Sequence, residues 1–139
     1  MFFGKKLKEL RLKHAKMGMH NFKKAMGTSL SVKELYDIEQ GYAEKPDTTR
    51  FSQQIKYALG LTCDHPDWIE LVKLSKEPFV MQKMPEGIIP SPLTHKNDGN
   101  QLTKEELISL TDYVNNIAIE HNKKADEYNK KADEHNNEQ

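Results

Sequence analysis

The sequence predicts an all-α protein, with five helices packed over residues 1–76, a Pro-containing linker or arm over 77–102 and a long C-terminal heptad helix over 103–139. Three observations lead there. Apolar residues recur three and four positions apart in segment after segment, glycine or proline stands at the joints, and no window alternates apolar and polar residues over the length of a strand.

The first helix is expected over residues 3–14, with Phe3, Leu7, Leu10 and His14 on one side and Lys5, Lys6, Lys8 and Arg11 on the others. Gly18 precedes a second short apolar set, Met19, Phe22 and Met26, and Gly27 follows where a helix end favours a left-handed residue. Ser31-Val32-Lys33-Glu34 matches the S-x-x-E capping box and opens a third helix with Val32, Leu35 and Ile38 on its apolar side, ending at Gly41. Three short helices with a glycine-containing break between the second and third are the pattern of a helix-turn-helix. Asp47 is placed to cap a fourth helix carrying Phe51, Ile55, Ala58 and Leu59, closed by Gly60. Asp64 or His65, followed by Pro66, starts a fifth with Trp68, Ile69, Leu71, Val72 and Leu74, because proline in the first turn loses no needed hydrogen bond. The expected core is Phe22, Met26, Leu35, Ile38, Phe51, Ile55, Leu59 and Trp68.

Pro78, Pro85, Pro90 and Pro92, with Gly87 and Gly99, exclude a regular helix across the linker, where Ile88, Ile89 and Leu93 are candidates for docking on a neighbour. A second capping box, Thr103 to Glu106, opens the last helix. Its seam of Leu107, Leu110, Val114, Ile117 and His121 suits oligomerisation, a homodimer or higher homo-oligomer, with a frayed end beyond. Residues 122–128 read Asn-Lys-Lys-Ala-Asp-Glu-Tyr, and 129–135 repeat them with His in the last place.

The 139 residues carry 21 basic and 21 acidic side chains, yet 12 of the basic and 6 of the acidic lie in residues 1–61. That split suggests a first half facing a polyanion and a second facing solvent or a protein partner. The apolar runs are too short for a membrane span or a leader, so a cytoplasmic protein without a membrane partner is expected. One cysteine, Cys63, leaves no internal disulfide and no cysteine-based zinc site. Cys63-Asp64-His65 reads as a helix-start turn, and His121 and His135 are too far apart on one helix to chelate together. No catalytic motif is present, so neither an enzyme nor a cofactor or metal is expected.

In a helix-turn-helix the second helix enters the major groove with its early side chains on base edges. Those are Ser31, Val32, Lys33, Tyr36 and Asp37: Lys33 donates to guanine acceptors, Val32 meets a thymine methyl and Asp37 accepts from cytosine. His20, Lys23, Lys24, Tyr42, Lys45 and Arg50 flank that helix as phosphate contacts on double-stranded DNA.

Leu7-Lys8-Glu9-Leu10-Arg11, Met19…Phe22…Met26-Gly27, Leu35-Tyr36-Asp37-Ile38-Glu39-Gln40-Gly41 and Pro46 resemble the lambda-repressor-like, Cro/CI (XRE-type) helix-turn-helix family over roughly residues 3–75. Leu-x-x-Ile-Glu-x-Gly is the most recognisable stretch, and Lys23 stands where that family prefers a small alanine. The resemblance implies a five-helix, usually dimeric domain acting on operator DNA, a bacterial or phage-type repressor or activator. It places Val32, Lys33 and Asp37 at base-reading positions and Met19 at the first residue of the second helix. Two other functions fit: an antitoxin-type autorepressor whose residues 77–139 wrap a toxin, and an adaptor that binds protein through the acidic second half.

Overall fold

The structure is a computed structural model that describes residues 1–86 and 103–137. Ile88, Ile89 and Leu93, and most of the linker with them, lie outside the described residues. The described chain is helical, and no strand occurs in it. The helices are α1 (Phe3–Leu10), α2 (Met19–Met26), α3 (Val32–Gln40), α4 (Thr49–Leu59), α5 (Pro66–Ser75) and α6 (Lys104–Asn137). Two compact units divide it, Met1–Met81 and Gln82–Gln139. Among the described residues no helix is long and apolar enough to cross a membrane.

In the first unit α1 packs on α3 and α5, and α2 on α3 and α4. Their apolar faces meet in one cluster holding all eight expected core residues together with Leu7, Leu10 and Leu71. The helix ends follow the local chemistry. Ser31 Oγ accepts from Glu34 N–H while the Glu34 carboxylate accepts from Ser31 N–H, the reciprocal capping box. Gly27, Gly41 and Gly60 close α2, α3 and α4 in the left-handed conformation.

Three details differ from the sequence reading. The first helix does not run as one α-helix to residue 14; Arg11–Ala15 form a π turn in which Lys16 N–H donates to Arg11 C=O at 2.8 Å. Thr48, not Asp47, caps α4, its hydroxyl accepting from Phe51 N–H at 3.1 Å. At α5 one of the two expected starts holds: His65 caps, with Nδ1 accepting from Asp67 N–H.

The third difference lies in the core. Lys6 and Arg11, expected on the faces of the first helix away from its apolar side, are both buried. Arg11 donates from Nε and Nη2 to the two carboxylate oxygens of Glu39, at 2.8 and 3.0 Å, and from Nη1 to Met17 C=O at 2.8 Å. Lys6 reaches Glu70 at 3.1 Å, which raises the Lys6 pKa above its ordinary value. Helical spacing assigns a long basic residue to the outside; a carboxylate arriving from another helix brings it in.

In the second unit the described end of the linker, residues 82–86, lies against α6. The Asn122 carboxamide accepts from Met84 N–H at 2.7 Å and donates to Met84 C=O at 2.9 Å, while Lys83 pairs with Asp126 at 2.9 Å. Among the described residues the buried positions of α6 are Ala118 and Ala125. Ile117, expected in the seam, is exposed beside them, and the His121 ring lies 2.8 Å from Gln82 C=O of its own chain. Leu107, Leu110 and Val114 are half-buried.

Candidate nucleic-acid interface

A surface that reads DNA needs outward side chains on a fixed backbone. The sequence of α3 supplies both, since Leu35, Ile38 and Glu39 are buried and Ser31, Val32, Lys33, Glu34 and Tyr36 are exposed. The sequence pattern puts Val32 on the apolar side of the helix. It stands 37% exposed, the more useful place for a base contact.

The exposed residues are partly engaged with one another. Lys33 Nζ lies 2.8 Å from Asp37 one turn on, and Asp37 raises the Lys33 pKa. Gln40 donates to the Tyr36 hydroxyl at 3.0 Å. Tyr42 follows the end of α3, and its N–H donates to Asp37 C=O at 2.8 Å. Burial, then the neighbouring Tyr36 and Asp37, push the Tyr42 phenol up. Tyr36, Asp37 and Tyr42 therefore form one neighbourhood at the exposed side of α3.

The phosphate candidates divide. His20, Lys24 and Arg50 are exposed, and Lys23 is half-buried. Among the described residues no carboxylate pairs with Lys23, Lys24 or Arg50. Arg50 also lines a cleft with Thr28, Ser29 and Thr48, where the Gln54 carboxamide donates to Gly27 C=O. That bond ties the α2–α3 connection to α4. Lys45 is different: its ammonium sits over the Phe3 ring, 5.5 Å from the centroid, so it is occupied within its own unit.

Sequence reasoning missed the groups that fix α3, Arg11 and Glu39, although both stand in the stretches that carry the family resemblance. It also missed His14, which faces Asp67 and not the core. Neither pair is adjacent in sequence, so no local pattern announces them. Comparison with known protein families, with curated proteins and with solved structures finds no match to this chain.

Proposed function

We propose that the protein is a sequence-specific, DNA-binding transcriptional regulator of the repressor type, cytoplasmic and homodimeric, with α3 (Val32–Gln40) in the major groove. The observation that carries this reading is the two-sided character of α3. One side is anchored by Leu35, Ile38 and the Arg11–Glu39 pair, and the other presents Val32, Lys33 and Tyr36 to the outside. A net positive first half, and cations on α2 and α4 without carboxylate partners among the described residues, supply the sequence-independent attraction. The family resemblance of residues 3–75 points the same way, and the seam of α6 supplies the second copy.

Fluorescence anisotropy against the DNA upstream of the gene, over a range of salt, tests it. Each phosphate contact contributes about −0.9 to the slope of log K against log salt. Lys24→Ala with Arg50→Ala should flatten that slope by about 1.8 and weaken binding at 0.1 M salt by about tenfold or more. Lys33→Ala should relax the sequence preference while leaving the slope nearly intact. Absence of any salt-sensitive binding rejects the reading.

One observation favours a second reading, a protein-binding adaptor: Glu34 and Asp37 put negative charge on the same side of α3, and Asp37 already holds Lys33. Full activity in cells of a Lys24→Ala, Lys33→Ala double variant would favour it.

A further inference from the structure

The π turn delivers two neighbouring side chains to one carboxylate. Lys13 Nζ and His14 Nε2 lie 3.0 and 2.7 Å from the same oxygen of Asp67, Oδ2. A π turn holds five residues where an α turn holds four, and such insertions recur at functional sites. From the start of α5, His65 brings its ring edge-on to that of His14, with centroids 5.2 Å apart. One ligand atom from each of His14, His65 and Asp67 lies within 4.8 Å of the others, and all three residues are half-buried.

We propose that His14, His65 and Asp67 form a site for a divalent first-row transition metal of the Zn²⁺ type, with a fourth position open to water. Two imidazoles and one carboxylate are a donor set such ions take, whereas Ca²⁺ and Mg²⁺ require oxygen. At metal–ligand distances of 2.0–2.1 Å a tetrahedral ion holds its ligands about 3.4 Å apart. The His14 and Asp67 ligand atoms are 2.7 Å apart and no pair of the three exceeds 4.8 Å, so small side-chain shifts reach that value.

Three present bonds give way. Lys13, whose side chain is 60% exposed, swings out to solvent and the ion's charge replaces its own on Asp67. The His14 proton that faces Asp67 is carried on the other ring nitrogen, which keeps the ring neutral. The ion competes with Asp67 N–H for the His65 lone pair. Occupied, the site staples the end of the π turn to the start of α5.

Calorimetric titration of the full chain with Zn²⁺, in a Cys63→Ser background that removes the exposed thiol, tests the assignment. Saturation at one ion per chain is expected, with Co²⁺ giving the visible absorption of a tetrahedral site. His65→Ser retains a helix-capping oxygen and Asp67→Asn is isosteric, so both variants should fold, as circular dichroism would verify. Each should weaken Zn²⁺ binding by about tenfold or more, and His20→Ala should leave it unchanged. No saturable uptake, uptake of several equal ions, or affinity unaltered in both His65→Ser and Asp67→Asn overturns the proposal.

Discussion

Glu39→Ala should cost about 3–5 kcal/mol of folding stability, the typical penalty for removing one partner of a buried ion pair. The Glu39 side chain is 2% exposed and that of Arg11 8%, so the guanidinium left behind could not be rehydrated without opening the contact between α1 and α3. Domains of this size are commonly stable by about 5–15 kcal/mol, so the variant would stand near its folding threshold. Urea denaturation should show the midpoint falling with little change in slope, because the surface exposed on unfolding is unaltered. Arg11→Met combined with Glu39→Leu removes both charges and should be less damaging than Glu39→Ala alone. A loss below about 1 kcal/mol for Glu39→Ala would mean that water reaches the pair. Glu39 is also the last buried residue of α3, so its removal frees the end of the helix proposed to enter the groove.

The helices of the first unit and their apolar core were legible because local rules decide them. Capping boxes, C-terminal glycines and 3–4 spacing depend on neighbours within one turn, and the Ser31–Glu34 box and the eight core residues lie where those rules put them. What sequence left open depends on groups distant along the chain. Arg11 meets Glu39 across 28 positions and His14 meets Asp67 across 53. Periodicity reports which side of a helix is apolar, and it is silent about a polar residue buried because a partner arrives from elsewhere. The π turn is of the same kind: its extra residue sets where Lys13 and His14 point, and nothing in Arg11–Ala15 marks it. The exposure of Lys33 and Tyr36 agrees with the surface role read for them, but exposure alone is shared by every solvated helix. For that reason the DNA titration, not the fold, decides the function.

Gly4→Ala should be as severe as the loss of Glu39, for a reason that reverses the ordinary preference. Inside a helix alanine is favoured over glycine by about 1 kcal/mol. At Gly4, however, an added Cβ would lie 2.0 Å from Ile38 C=O oxygen and 2.6 Å from that of Glu39. These are backbone atoms of α3 and cannot turn aside as the tip of a side chain would. The two helices must separate, which takes Leu7 and Leu10 out of register with Leu35 and Ile38 and strains the Arg11–Glu39 pair. Overpacking of a rigid contact costs about 1–3 kcal/mol and sometimes more, and here it comes with that disruption, so a net loss of about 3 kcal/mol or more is expected. Gly18→Ala is the matched control: nothing lies within 4 Å of its added Cβ, so its effect should stay below about 1 kcal/mol. DNA binding should respond as well, because α1 is the surface on which α3 rests. At a temperature where the Gly4→Ala chain is still folded, its affinity for DNA should fall while that of Gly18→Ala holds. If Gly4→Ala melted at the parental temperature and bound DNA normally, α1 could not be seated as closely on α3 as the structure has it. The seating of α3 on which the proposed DNA reading depends would then be lost with it.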